Sequence, residues 1–442
     1  MLTNWQKKKV AVLGLGVEGK DVVHYLLPRG AELTVYDQKD DLAVPAGVRS
    51  FLGPAYLQAG LSGYDYIFRS PAFRPTLPAI AAAEKAGTVI TSATKLFFDL
   101  CPGKIIGVTG TKGKGTTATL IYEILQAAGR RVFLAGNIGQ PMLALLPRLT
   151  EESWVVLELS SFQLMDLEKS PTVAVVLFIT SEHLDYHRSV AEYVRAKSNL
   201  VRFQREDDLA VLNGDNETAK SFQELTRGRV VFFSRNRKTN GGYVESGRIF
   251  YRGEVVGETK DLQLRGEHNW DNVTAAVTVT REIGVETTVI KRAMVGFKGL
   301  EHRLERVRKV GGVTFYNDSF STTPETTMAA IRAFREPIIL IAGGSDKGSD
   351  YREMAKEIGR GSVRVLILIG RMAEKIREAV EKEGFAGEVI FRPDSMREAV
   401  MLASRRAREG EVVILSPACA SFDMFENYKE RGKEFKKSVE AL

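Results

Sequence analysis

The chain has 442 residues, 44% of them hydrophobic, a net charge of +7 and two cysteines far apart, Cys101 and Cys419. At ordinary domain sizes this length gives roughly two to four domains, each able to bury a core. The composition excludes a disulfide framework and fits a reducing compartment, and the longest apolar run, Thr172 to Thr180, is far too short to span a bilayer.

The positive charge is spread along the chain. It suits polyanionic small substrates or plain solubility, and no nucleic-acid recognition module accompanies it. The first residues carry lysines with no apolar stretch behind them, so no secretory leader and no membrane insertion are expected, and the expected location is the cytoplasm.

Lys8 to Leu13 reads as a buried strand. Gly14-Leu15-Gly16-Val17-Glu18-Gly19 follows, then a helix to Leu27, then a strand from Glu32 to Tyr36 ending at Asp37 and Gln38. This βαβ opening, with a G-x-G-x-x-G turn and an acidic residue about 20 positions on, suits NAD or any other nucleotide diphosphate. A strand at Tyr66 to Phe68 runs into Arg69-Ser70-Pro71-Ala72-Phe73, a loop of the kind that lines the crevice of a doubly wound sheet. This α/β domain closes near Thr94 to Leu100, giving a first domain over 1–98.

Lys104 to Val108 is the next strand, and a helix is expected from Thr117 to Ala128. Between them lie Gly110, Thr111, Lys112, Gly113, Lys114, Gly115, Thr116 and Thr117. A glycine-rich turn between strand and helix lets backbone N–H groups face a phosphate, with the helix dipole behind them. Lys114 reaches the outer phosphates and Thr116 offers a hydroxyl for Mg²⁺. The usual pattern has Ser or Thr directly after Gly-Lys, where this chain has Gly115. The plain alternative is a glycine turn with a solvated lysine.

Strands are expected at Arg131 to Leu134, before Asn137-Ile138-Gly139, and at Trp154 to Leu157, which delivers Glu158. The run Val173 to Ile179 reads as one central parallel strand leading to Thr180-Ser-Glu-His183 and on to His187. A helix from Val190 to about Phe203 carries Lys197, and a strand runs from Asp208 to Leu212. Hairpins are expected between Tyr243 and Glu258. A helix opened by His268-Asn269 and Asn272 ends near Gly284, closing a central domain over 99–299. From Glu301 onward, strands at Val313–Tyr316, Ile338–Ile341, Val363–Ile369, Glu388–Phe391 and Val412–Leu415 alternate with helices, a third α/β unit over 300–442.

The phosphate loop, Glu158, the His183 segment, His268-Asn269 with Asn272, and His302-Arg303, in this order, resemble the Mur ligase family. Ser416-Pro-Ala-Cys-Ala-Ser421, Glu158-Leu-Ser-Ser-Phe-Gln-Leu164 and Asn137-Ile-Gly139 resemble its D-glutamate-adding branch. The resemblance spans essentially the whole chain. It implies an α/β fold of three domains: N-terminal Rossmann-like, central P-loop ATPase-type and C-terminal Rossmann-like. It implies a monomer that uses ATP and Mg²⁺ at two sites to join D-glutamate to UDP-N-acetylmuramoyl-L-alanine through an acyl phosphate, in peptidoglycan precursor synthesis.

The resemblance also assigns residues. Gly14, Leu15, Gly16, Val17, Asp37, Gln38, Ser70 and Asn137 would hold the UDP substrate. Lys114, His183 and Lys197 would be catalytic, and Thr116, Glu158, His183 and a carbamylated Lys197 would hold metal. A carbamate turns a cation into a group able to sit by Mg²⁺; on sequence alone Lys197 is a solvated helix lysine. Residues Gly110 to Thr117 with Asn272, Arg303 and Asp318 would bind ATP. Thr322, Lys347, Ser421, Phe422 and Tyr428 would bind the amino acid. Cys419 reads as packing, since no acid–base partner is indicated.

Three departures stand out. Asn317-Asp318-Ser319 is followed by Phe320 where the family has lysine, and an aromatic ring cannot bind a carboxylate, so the acceptor is open. Ser70-Pro-Ala replaces Ser-Pro-Gly. Gly115 matches the loop of folylpolyglutamate synthases, but those chains would lack the α/β domain that precedes this phosphate loop. An NAD-dependent oxidoreductase leaves the second phosphate loop and Glu158 without a role.

Overall fold

The structure, a computed structural model, describes residues 4–183, 185–346 and 348–442. Lys347, expected at the amino-acid site, lies outside the described residues. The chain forms two compact units. One comprises the residues through Lys260 with Asp271–Met294, the other Asp261–Trp270 with Val295–Leu442.

The first unit holds two parallel sheets. Strands β1 (Lys9–Leu13), β2 (Glu32–Asp37), β3 (Arg49–Leu52), β4 (Tyr66–Arg69) and β5 (Val89–Thr91) stand in the order β3-β2-β1-β4-β5. β1 and β2 are buried runs, as expected of strands covered on both faces. β3 and β5 were not legible: each is a short edge strand that buries none of its residues fully.

The second sheet comprises β6 (Lys104–Thr109), β7 (Val132–Gly136), β8 (Trp154–Glu158), β9 (Val173–Val176), β10 (Leu209–Asn213) and β11 (Arg229–Phe233), in the order β11-β10-β9-β6-β8-β7. A single buried cluster runs from Val10, Val12 and Phe68 of the first sheet to Val155, Leu157, Val176 and Leu212 of the second. The two sheets therefore share one core. Strands β12 (Gly242–Glu245), β13 (Arg248–Tyr251) and β14 (Glu254–Glu258) form a small antiparallel sheet where hairpins were expected.

Two expectations need correction here. The central run does not continue as a strand to Ile179, because β9 ends at Val176. Beyond it, Phe178 O accepts the Thr111 N–H (2.8 Å) and Ile179 N–H is donated to Asn216 Oδ1 (3.2 Å). The backbone has left the ladder to brace the phosphate loop. Second, the helix after that loop spans Lys114–Ala127 and starts three residues before Thr117. Gly113 caps it at φ +85°, a left-handed conformation that costs glycine little and starts the helix early.

In the second unit, β15 (Glu305–Val310), β16 (Val313–Asn317), β17 (Ile338–Gly343), β18 (Val363–Ile369), β19 (Glu388–Phe391) and β20 (Val412–Leu415) stand in the order β15-β16-β20-β17-β18-β19. Ile338, Leu340 and Ala342 of β17 enter one buried cluster, Ile339 and Ile341 another. The sheet is thus covered on both faces, one cluster to each. β15 was missed: it is a charged antiparallel edge strand, bulged between Arg306 and Arg308. Among the described residues no helix is long and apolar enough to cross a membrane.

Candidate active site

The phosphate loop is built from the end of β6. Thr111 donates its N–H to Phe178 O, and its hydroxyl meets Thr180 N (2.9 Å), Thr180 O (3.1 Å) and Tyr193 OH (3.0 Å). This fixes the loop's first half, so Thr111 acts here as a brace. Gly110 (φ +153°) passes close to Leu177, and a Cβ on Gly113 would strike Asn272 Oδ1. That same oxygen accepts from Thr117 Oγ1 (3.1 Å), which brings the distant Asn272, 4% exposed, to the loop. The helix's own ladder begins with Thr117 N–H to Gly113 O (2.9 Å). The Gly115 and Thr116 N–H groups therefore have no intrahelical acceptor, the arrangement that receives anions. Lys114 Nζ folds back on Thr111 O (2.9 Å), while Lys112 pairs with Glu182 at the surface.

Lys197 is no solvated lysine. It is 1% exposed and donates to Gly110 O (2.8 Å), with Thr109 Oγ1 at 3.4 Å. Burial, then the nearby Lys114, hold its ammonium far below the usual lysine range, against the opposing pull of Glu182 and Glu158. The helix Val190–Arg202 puts it there. Ser189 caps the first turn, and Tyr193, Ala196, Lys197, Leu200 and Val201 share the buried face. Glu158, at the end of β8, is 6% exposed, and its Oε2 is buried with no hydrogen-bond partner. A buried carboxylate oxygen of this kind calls for a cation. With the hydroxyl of Thr116, 8% exposed, it provides the hard oxygen donors that suit Mg²⁺.

His183 adopts a left-handed backbone (φ +57°), uncommon outside glycine and frequent at functional sites. Its ring lies 4.9 Å from Phe162, in the turn that follows Glu158. Sequence reasoning assigned nothing to His187. That ring is buried, stacked on Phe162, and placed 2.9 Å from Ser161 Oγ through Nε2. Burial lowers its pKa, so it serves as a neutral wedge that seats Phe162 under His183.

The first glycine turn brings Gly14, Leu15, Asp37 and Ser70 together. Gly14 (φ +87°) lies against Ser70 and Phe73. The Leu15 N–H is donated to Asp37 Oδ2 (2.7 Å), whose other oxygen accepts from Lys39. Gly16 caps the helix Val17–Leu26, and Val17 is 71% exposed at its start. Gln38 and Asn137 are exposed at strand ends, with the Asn137 N–H on Glu158 O. Arg69, which sequence reasoning passed over, ties this turn to the second sheet. It donates to Phe73 O (2.7 Å), Phe162 O (3.2 Å) and Asp166 Oδ1 (2.7 Å) while fully buried. Gln163 reaches Glu18 (2.7 Å), whose carboxyl burial raises to about 7.

In the second unit, Asp318 Oδ1 accepts the Leu304 N–H (3.1 Å) and Oδ2 the Ser416 hydroxyl (2.8 Å). Burial pushes its pKa up to about 6 against those bonds and Arg303. The Arg303 guanidinium lies 3.9 Å over the Phe320 ring, and Tyr428 packs edge-on against that ring at 5.1 Å. Phe320 thus supports a cation where a lysine would have supplied one. Ser421 is buried, Thr322 half-buried, and Phe422 is 72% exposed. Burial raises the Cys419 thiol to about 11, which keeps it protonated. Glu301, His302 and Glu305 converge, but the Lys436 ammonium sits between both carboxylates at 2.7 and 2.9 Å, so they form an ion-pair network.

Comparison with known proteins agrees with this layout. Residues 8–92 match the MurD-like N-terminal domain of Mur ligases, 108–280 the Mur ligase middle domain, and 302–419 the Mur ligase glutamate ligase domain. A UDP-N-acetylmuramoylalanine–D-glutamate ligase of Acetivibrio thermocellus is 41% identical over 99% of this chain and 97% of its own. One of Clostridium botulinum is 39% identical over 98% and 97%. Among solved structures, the UDP-N-acetylmuramate–alanine ligase of Thermotoga maritima superposes with a TM-score of 0.64 at 17% identity, covering 98% of this chain and 99% of that one. The MurF ligase of the same organism, solved with ADP, gives 0.59 at 18% identity, with both chains fully covered.

Proposed function

The chain belongs to the Mur ligase family, and we propose that it joins D-glutamate to UDP-N-acetylmuramoyl-L-alanine at the expense of ATP, as a cytoplasmic monomer of peptidoglycan precursor synthesis. The observation that carries this reading is the convergence of Lys197 and the unpartnered Glu158 oxygen on a phosphate loop, in a chain whose full-length relatives bear that name. The division of labour follows the three sequence segments: UDP substrate at 1–98, ATP at 99–299 and amino acid at 300–442.

The substrate carboxylate attacks the γ-phosphorus of ATP, ADP leaves, and an acyl phosphate forms. The amine of D-glutamate then attacks the acyl carbon, and phosphate departs as the amide forms. Mg²⁺ held by Glu158 and Thr116, with a second ion near His183, would neutralise phosphate charge in both steps. Lys114 moves from Thr111 O to the β- and γ-phosphates, and the N–H groups of Gly115 and Thr116 hold oxygens of the chain of phosphates. Asn272 holds the loop through Thr117, and Arg303 and Asp318 are the further residues expected to bind ATP. Burial favours the neutral amine of Lys197, the form that adds to CO₂ with loss of one proton, and the resulting carbamate would help to hold the metal.

Phe320 favours a second reading, a sister ligase with another acceptor. The test is phosphate release with ATP, Mg²⁺ and UDP-N-acetylmuramoyl-L-alanine against D-glutamate, L-glutamate, D-lysine and glycine. Release confined to D-glutamate supports the first reading. Release with another member moves the acceptor and keeps the mechanism.

A further inference from the structure

Three loops at the strand ends of the second unit carry its expected ligand-binding residues. Asn317–Thr322 follows β16 and bears Asp318 and Thr322. Ser416–Ser421 follows β20, and Gly343–Asp346 spans the end of β17 and the residues before Lys347. One buried side chain bonds to two of them and lies close to the third. Arg431, 1% exposed, rises from the helix Tyr428–Glu440. Its Nε donates to Ser319 Oγ (3.0 Å) and one terminal nitrogen to Ser319 O (2.9 Å). The other terminal nitrogen donates to Cys419 O and Ala420 O, both at 3.1 Å. Ala420 O also receives the Ser345 N–H (2.9 Å), and Gly344 approaches so closely that a Cβ there would lie 3.2 Å from the guanidinium. Ser319 Oγ in turn donates to Tyr428 O (2.8 Å), which sets the tyrosine beside Phe320.

Among the described residues no carboxylate forms an ion pair with Arg431. Its charge is met by three carbonyl oxygens and a hydroxyl. Burial lowers its pKa to about 10, so it remains a cation at neutral pH. Asp423 and Asp318 act on it only at a distance; a buried guanidinium with no direct ion pair is costly unless its fork is filled, and here every arm is. In the loop after β20, Ala418 has a left-handed backbone (φ +59°), and its N–H is held by Ser321 O (3.0 Å), which ties that loop to the one after β16.

We propose that Arg431 is the positioning residue of the acceptor site, holding the three loops in one arrangement and adding positive potential beneath an acidic amino acid where Phe320 supplies none. This rests on the acceptor reading above. Arg431 touches no reacting atom, and it acts through Ser319, Cys419 and Ala420.

The test uses the full-length enzyme with Arg431→Lys, which keeps the charge and loses the fork. Ser319→Ala, which removes only the Nε acceptor and the bond to Tyr428, is the milder companion should the first variant fold poorly. KM for D-glutamate is expected to rise about tenfold or more in Arg431→Lys and less in Ser319→Ala. KM for UDP-N-acetylmuramoyl-L-alanine, bound by the first unit, stays within about twofold. Hydrogen exchange should show lost protection confined to 317–321, 344–345 and 418–421. Equal changes in both KM values, no change in either, or loss of protection across the whole unit would overturn the proposal. If the wild-type enzyme ligates a different amino acid, the D-glutamate reading falls alone, and the KM ratio is taken with that acceptor.

Discussion

Lys197, 1% exposed among the oxygens of Gly110 and Thr109, has lost nearly all of its water. A lysine whose folded pKa is depressed holds its proton less tightly folded than unfolded, so below the ordinary value near 10.4 it opposes folding. Lys197→Met should therefore melt higher than the wild type at pH 7 in carbonate-free buffer, with the gap closing as pH approaches about 10. Its kcat should fall about a thousandfold, the scale of losing one preorganised electrostatic group. A variant that melts lower at pH 7, or keeps its turnover, would contradict this account. Asp318 is the acidic counterpart. Its pKa is raised from 3.8 to about 6, so the stability it contributes is complete below pH 4 and fades as pH climbs through 6. Asp318→Asn, neutral throughout, should gain on the wild type between those values, to a ceiling of about 3 kcal/mol. Melting curves of both proteins at pH 4 and pH 7 read this directly, and a gap that shrinks with rising pH would refute it.

The phosphate loop and its helix act as one element, and its geometry hinges on Gly113. At φ +85°, against Asn272 Oδ1, any Cβ brings both backbone strain and a clash. Gly113→Ala should raise KM for ATP by about tenfold or more while costing about 1–3 kcal/mol in stability; an unchanged KM for ATP would show that the loop has another way to form. This element was legible because glycine spacing and a following apolar period are local signals. Its helix start was misplaced because the left-handed cap at Gly113 is packed against Asn272, 159 residues away in sequence, and leaves no local signal. The buried strands β1, β6, β17 and β20 were readable as apolar runs, whereas β3, β5 and β15 were not. These three edge strands bury none of their residues and show no apolar pattern, whereas the edge strands β7 and β19 keep a readable apolar run. Glu158 and Lys197 could be named with their expected roles from the resemblance, yet their burial could not be read. Burial is set by the packing of the helix Val190–Arg202, not by the residues beside them. Arg69, His187 and Arg431 bind mainly to backbone carbonyls or a neighbouring hydroxyl, and no sequence motif marks such partners.

At the scale of the whole molecule, the first two sheets form one unit because a shared core and a few buried polar links join them. Asp21 caps Leu143 and Ala144, Gln163 meets Glu18, and Arg69 spans from Phe73 to Asp166. Of these, Arg69 is the decisive one. It connects the loop that lies against Gly14 with the turn that follows Glu158, and so couples the first glycine turn to the end of β8. Its guanidinium is 1% exposed and Asp166 is 19% exposed, so removing the cation leaves an acid with little water to replace it. Arg69→Met should cost on the order of 3–5 kcal/mol, the scale for breaking a buried pair by deleting one partner. The surface pair Lys8–Asp65, with both side chains more than a third exposed, gives the contrast. Lys8→Met should cost no more than about 1 kcal/mol. If the coupling is real, Arg69→Met will also raise KM for the UDP substrate well beyond any change in KM for ATP, because the loop at Ser70 loses its anchor while Gly110 and Gly113 keep theirs. A loss of stability no larger than that of Lys8→Met would mean that the apolar cluster alone holds the two sheets together.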